Sequence, residues 1–119
     1  MIICKHSLIK SKYISILDDI MLVEFPNVST INNKDCLVLK IDQEFPISSS
    51  SLKLNFKINN SVFSVMTLNG NSVRANQIKS HKVYTVYVST ENPIMIMRCY
   101  LPSSGITYPN VSAKEKLVS

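Results

Sequence analysis

An all-β fold is predicted by three features of this sequence: an alternation of apolar and polar residues, many β-branched residues, and turn residues at short intervals. The alternation is clearest in Leu52–Ile58, where every second residue is large and apolar and the others are Lys or Asn. A period of two is typical of a half-buried strand. No run of eleven or more residues has a helical period. These features predict a compact antiparallel β-sandwich or small barrel.

The first half of the chain predicts an arm followed by three strands. Residues 1–10 form an arm or a first strand that can pair with a neighbour. Asp18-Asp19 supplies a turn between two strands, and Pro26 ends the second of them because proline cannot donate to a ladder. The predicted strands are Tyr13–Leu17, Ile20–Phe25 and Cys36–Ile41, and the serine run Ser48–Ser51 is a flexible connection to the next strand.

The second half predicts four strands, namely Leu52–Ile58, Val62–Leu68, Lys82–Val88 and Pro93–Tyr100. Asn69-Gly70 suits a type I′ hairpin turn, because Asn and Gly both tolerate positive φ. The segment Val73–Ile78 is a short strand or a bent edge segment.

At 119 residues the chain fits one domain with a single core. We predict a single β domain over residues 1–100 and an extended C-terminal tail over residues 101–119. The tail contains two prolines and little to bury. Its apolar side chains are the predicted contacts to a partner: Ile106, Tyr108, Val111, Leu117 and Val118.

The net charge of +5 raises the possibility of nucleic-acid binding. The basic residues are spread singly along the chain, whereas a nucleic-acid site usually shows a basic patch with aromatic residues or Arg interleaved. Solvated strand faces and protective edge lysines explain this pattern better. Nucleic acid is therefore not the predicted partner.

Three cysteines, an odd number at irregular spacing, predict free thiols in a reducing compartment. Cys36 and Cys99 lie in apolar runs, which predicts that they are buried. Lys5 and His6 interrupt the N-terminal apolar residues before a signal-peptide core can form, and no apolar run is long enough to cross a bilayer. The sequence predicts a chain made in the cytoplasm, with no membrane partner.

No residue pattern predicts catalysis, a cofactor or a metal site. The two histidines, His6 and His81, lie at an end and in a polar corner, away from a nucleophile. Cys4 and His6 lack a second ligand pair at zinc spacing. Asp42, Glu44 and Asp35 could bind a cation, but a solvated loop explains them more simply. The sequence has no phosphate-binding glycine loop and no Cys-x-x-Cys motif. We predict that the chain is not an enzyme.

Four segments of the second half carry a resemblance: Thr67-Leu68-Asn69-Gly70, Ala75-Asn76-Gln77-Ile78, Lys82–Val88, and a final apolar strand. This order resembles a β-module of bacteriophage virion proteins, found in tail fibres, baseplate-associated proteins, and head fibres or capsid decorations. The chain departs from tail fibres because it has no collagen-like or coiled-coil stalk. Its first fifty residues carry no resemblance.

The resemblance implies a non-enzymatic structural component of a phage virion, of the capsid-decoration or head-fibre type. Its implied partners are other virion proteins, with a symmetric oligomer and a location in the virion. Two alternatives remain open at this point. One is a tail-associated carbohydrate-binding or receptor-binding module that uses exposed tyrosines, and the other is a small barrel that binds single-stranded nucleic acid.

Overall fold

A computed structural model describes residues 7–46, 51–98 and 101. Eight strands form one mixed sheet that curls into a half-barrel. In chain order the strands are β1 (Ile9–Lys10), β2 (Tyr13–Leu17), β3 (Ile20–Glu24), β4 (Cys36–Lys40), β5 (Lys53–Ile58), β6 (Ser61–Met66), β7 (Val83–Ser89) and β8 (Ile94–Met97). Across the sheet the order is β1-β4-β7-β8-β6-β5-β3-β2.

The sheet combines three hairpins with four pairs of strands that are distant in the chain. The hairpins β2–β3, β5–β6 and β7–β8 are antiparallel, as is the β4–β7 pair. The pairs β1–β4, β3–β5 and β6–β8 are parallel. An all-β fold is confirmed, and the barrel-like alternative describes it better than two packed sheets. The sheet is mixed and not purely antiparallel, because the three parallel pairs join strands that are separated by long connections.

The period of two in the sequence separates the two faces of the sheet. Leu54, Phe56 and Ile58 of β5 face inward and are almost fully buried, while Asn55 and Lys57 between them are partly exposed. The other strands add inward side chains in the same way, and one core results. Because the hydrophobic effect acts on that one face, register along each strand is fixed by which residues are apolar.

Two tight turns differ in type from the prediction. Thr67 C=O accepts from Gly70 N–H and Thr67 N–H donates to Asn71 C=O, which defines a three-residue loop in which Gly70 has φ +85°. Asn69 has no positive φ, so the type I′ prediction for Asn69-Gly70 is wrong, although the turn is there. The type I′ geometry belongs to Asn59-Asn60, where both residues have positive φ between the paired Ile58 and Ser61.

The segment predicted as a short strand or bent edge is mostly a 3₁₀ turn. Ser72 and Arg74 make isolated bridges to Met66 and Lys53, and a 3₁₀ helix then spans Ala75–Gln77. The Gln77 side chain accepts from Arg74 N–H at 2.8 Å, which satisfies a backbone donor at the start of this turn. No helix in the described part of the chain is long and apolar enough to span a membrane.

Cys36 is buried, as predicted, but it is disulfide-bonded. The prediction of a free thiol is therefore wrong for this residue. An odd number of cysteines leaves one over but does not prevent the other two from pairing, and spacing in the chain cannot show which cysteines meet in space. Cys4 and Cys99 lie outside the described residues.

Candidate interaction surface

The two edges of the sheet meet where β1 passes into β2. Strand β1 lies at one edge and β2 at the other, yet only Ser11 and Lys12 separate them in the chain. Ser11 N–H donates to Lys40 C=O on β4 at 2.9 Å, and Lys12 N–H donates to Glu24 C=O on β3 at 2.7 Å. Within two residues the chain therefore stops pairing with β4 and begins to pair with β3. This crossing fixes where β2 starts.

Gln43 holds this crossing in place. Its Nε2 donates to the carbonyls of Ser11 and Lys12, at 3.1 and 2.9 Å, and its Oε1 accepts from the Ser11 hydroxyl. The Ser11 hydroxyl oxygen also accepts from Asp42 N–H at 2.8 Å. Because Ser11 is buried, its hydroxyl group and its carbonyl would each lose a partner in a poorly hydrated place if Gln43 were removed.

We expect Gln43→Ala to lower the free energy of unfolding by about 1–3 kcal/mol, the cost of leaving buried polar groups unpaired. Glu44→Ala is the matched control, since Glu44 is exposed and its contact with His81 lies at the surface, where a substitution usually changes stability by less than about 0.5 kcal/mol. Urea unfolding followed by circular dichroism measures both. Equal midpoints for the two variants would show that the Gln43 bonds do not stabilise the crossing.

Strand β2 has one paired edge and one edge that no described strand covers. Leu17 and Ile20 flank a two-residue turn and form a hydrogen-bonded pair, so the pairs of Ser15 and Tyr13 with β3 are also hydrogen-bonded. The N–H and C=O groups of Ile14 and Ile16 therefore point away from the sheet. At the start of β2, Lys12 and Tyr13 both oppose Glu24, which is a β-bulge.

The side chains of β2 leave much apolar surface in solvent. Tyr13, Ile16 and Leu17 are 50%, 42% and 59% exposed, and they are three of the seven large apolar side chains exposed in the described part of the chain. Ile14 packs partly against the core. No charge, proline or glycine interrupts the strand. Charges and prolines commonly protect natural edge strands, and the β-bulge, another such protection, lies only at the start of β2, so Tyr13–Leu17 has the properties of a strand that pairs with another.

Tyr13 also takes part in a polar contact on the outer face of the sheet. It lies opposite Glu24, whose carboxylate accepts a hydrogen bond from the Tyr13 hydroxyl and raises the pKa of Tyr13 above its ordinary value. Lys57 lies 3.9 Å from the same carboxylate. Tyr13 thus lies on the outer face, at the edge that no described strand covers, and half of its surface is exposed.

The titratable side chains named above as possible catalytic or cation-binding groups do not form one cluster in the described part of the structure. His81 is exposed and lies 3.0 Å from Glu44, while Asp42 pairs with Lys40 at 3.6 Å. Asp35 is buried, and its carboxylate accepts from Asn32 N–H at 2.8 Å. Among the described residues, no three His, Cys, Asp or Glu side chains lie close enough together to hold a metal ion. His6 lies outside those residues.

The described tyrosines do not form one platform. Tyr84 is buried, and its hydroxyl oxygen accepts from Lys79 N–H at 2.9 Å, whereas Tyr87 lies on the outer face beneath Arg98 at 5.9 Å. Tyr13 lies at the free edge, with four strands between it and β7 in the sheet. Tyr84 and Tyr87 lie three positions apart on β7, so their side chains point to opposite faces of the sheet. Nothing in this arrangement favours a carbohydrate site.

One groove of about 530 Å³ opens near the β5–β6 hairpin. Thr30, Ile31, Asn59, Val62 and Thr90 are among its lining residues, and none of the described side chains that line it is ionisable. Asn59 shapes one wall, because its Oδ1 accepts from Val28 N–H at 2.8 Å and its Nδ2 donates to Ser29 C=O at 3.3 Å. The groove can accept an uncharged segment but offers no group for acid–base chemistry.

Residues predicted as tail contacts lie outside the described residues: Ile106, Tyr108, Val111, Leu117 and Val118. Sequence reasoning missed Ser11 and Gln43, which lie 32 residues apart, and it did not identify β2 as an edge. The absence of a charge or proline from Tyr13–Leu17, next to a two-residue turn, was the available signal for a strand that pairs beyond its hairpin.

In comparisons with known proteins, the chain matches no family model, no curated protein and no solved structure.

Proposed function

We propose that this chain is a non-enzymatic structural subunit of a bacteriophage particle, an accessory capsid protein of the decoration or head-fibre type that binds neighbouring virion proteins. The observation that carries the proposal is the apolar edge of β2, which no described strand covers. A strand whose outward N–H and C=O groups meet no described strand, and whose Tyr13, Ile16 and Leu17 are exposed, suits backbone pairing with another chain.

The phage assignment within this class is supported by the resemblance of the second half to virion β-modules. In the structure, the four segments that carry the resemblance become the Gly70 loop, the Ala75–Gln77 turn, β7 and β8, in that order. The net charge of +5 would favour encounter with an acidic protein shell.

Particle composition tests the proposal directly. Particles from the native source are purified on a density gradient, and the chain is counted against the major capsid protein by quantitative mass spectrometry. We expect a fixed stoichiometric ratio that fits a symmetric site on the shell. A chain that is present in the lysate but absent from purified particles overturns the proposal.

The tail gives a second expected result. Deleting Ser103–Ser119 should leave the β domain folded but reduce its occupancy on the particle, because Ile106, Tyr108, Val111, Leu117 and Val118 supply contacts to a neighbour. The occupancy of the truncated and full-length chains is measured on particles assembled under the same conditions, with circular dichroism as the control for folding. Normal occupancy of the truncated chain would show that the tail is not part of the binding surface.

A further inference from the structure

We infer that the occupant of the β2 edge is a second copy of this chain, paired antiparallel to the first across a two-fold axis that passes through Ser15. This inference rests on the proposed role as an assembly subunit and specifies which chain meets this edge. The resulting unit joins two eight-stranded sheets through their β2 strands. A two-fold contact of this kind uses the same surface twice, so that surface must be complementary to itself.

Charge decides the direction of pairing. Strand β2 is preceded by Lys10 and Lys12 and followed by Asp18 and Asp19, and all four residues are exposed. In a parallel pair, lysines would lie beside lysines and aspartates beside aspartates. In an antiparallel pair, the basic end of each copy lies beside the acidic end of the other. Opposite charges across neighbouring strands are stabilising and like charges are destabilising, so the antiparallel arrangement is favoured.

The backbone limits the register. Because the outward N–H and C=O groups belong to Ile14 and Ile16, an antiparallel ladder must pair these even-numbered residues with each other. Pairing Ile14 with Ile16 of the second copy places Ser15 opposite Ser15. A shift by two residues still forms hydrogen bonds, but it places Lys12 opposite Ile16 or Asp18 opposite Ile14. A shift by one residue mismatches the hydrogen-bonding groups and exchanges the two faces.

The favoured register also matches the side chains. On the outer face, Tyr13 of each copy lies opposite Leu17 of the other, and on the inner face Ile14 lies opposite Ile16. Each contact therefore joins two apolar side chains, one of the arrangements that stabilise a cross-strand pair. The half-exposed Tyr13, Ile16 and Leu17 are the side chains that lose solvent contact on pairing.

Self-association in solution is the first measurement. A five-residue strand gives a small contact, and small contacts are typical of weak complexes. We therefore expect a monomer–dimer equilibrium with a dissociation constant of about 5–500 μM. Ile16→Lys places a charge on the edge and should raise the dissociation constant about tenfold or more. Val62→Lys is the matched control, because Val62 is 44% exposed and lies on an interior strand of the sheet. Sedimentation velocity follows all three proteins.

Cross-linking tests the two-fold position. In a non-hydrogen-bonded antiparallel pair the Cα atoms are about 4.5 Å apart, which lies within the range for a disulfide. Ser15→Cys should therefore form a covalent dimer under mild oxidation, seen on a non-reducing gel. Ser64→Cys, on the same outer face of β6, should form no more dimer than the wild-type chain with its native cysteines.

The outcomes separate this inference from the proposed function. A wild-type chain that stays monomeric, with Ser15→Cys cross-linking no better than Ser64→Cys, overturns the second copy as occupant. If deletion of Ser103–Ser119 then allows dimerisation, the tail of the same chain covers the edge instead. If the chain stays monomeric but Ile16→Lys lowers occupancy on the particle, another virion subunit pairs there. A chain that dimerises through β2 but is absent from particles overturns the virion proposal alone.

Discussion

Phe56→Ala should lower the free energy of unfolding by about 3–5 kcal/mol, the range for truncating a buried aromatic residue to alanine. Phe56 is fully buried on β5 and is flanked by Val23 on β3 and Phe63 on β6. Its ring also packs edge-on against Phe25, with centroids 5.1 Å apart. Truncation opens a cavity between β3, β5, β6 and Phe25, which directly follows β3, and strands held by hydrogen bonds cannot fully collapse to fill it.

Leu68→Ala is the control for this prediction, because Leu68 is 58% exposed and truncating it leaves no cavity. A surface change of this kind usually alters stability by less than about 0.5 kcal/mol. Thermal unfolding of the two variants is compared with wild type. If Phe56→Ala melts as close to wild type as Leu68→Ala does, Phe56 is not a central part of the core.

Gly70→Val should lower the free energy of unfolding by about 1–3 kcal/mol through backbone strain alone. Gly70 has φ +85°, and a Cβ at this position would meet no atom within 4 Å, so no steric clash contributes. Valine is β-branched and rarely adopts this conformation, whereas asparagine adopts it more readily. Gly70→Asn should therefore lose clearly less stability than Gly70→Val. Equal losses in denaturant unfolding would point to a cause other than φ.

The strands could be predicted because their pattern is local. In Leu52–Ile58 the polarity of each residue indicates the face of the strand on which it lies, and the observed burial agrees. Turn geometry was harder to predict, since Asn59-Asn60 and Asn69-Gly70 contain residues that suit several turn types. The type is decided by how the flanking strands pair. Ile58 pairs with Ser61 directly, whereas the chain after Gly70 continues into the bridges of Ser72 and Arg74.

The parts of the candidate surface that could not be predicted depend on distant residues. Ser11 and Gln43 meet only because β1 lies beside β4, and nothing near either residue in the chain specifies that contact. Likewise, Tyr13–Leu17 reads as a strand, but its place at the edge depends on the pairing of all the other strands. The disulfide of Cys36, which lies outside this surface, could not be predicted for the same reason, because it depends on which cysteines come together in space.

The crossing at Ser11 and Lys12 has a consequence for the order of folding. The β2–β3 hairpin closes over two residues and should form within microseconds, whereas β1 must find β4 across some thirty residues of chain. An apolar edge strand is therefore present before the ends of the sheet are brought together. During synthesis this hairpin is exposed to identical hairpins on neighbouring ribosomes. The same sequence that suits pairing in the mature protein makes the nascent chain prone to aggregation at high expression.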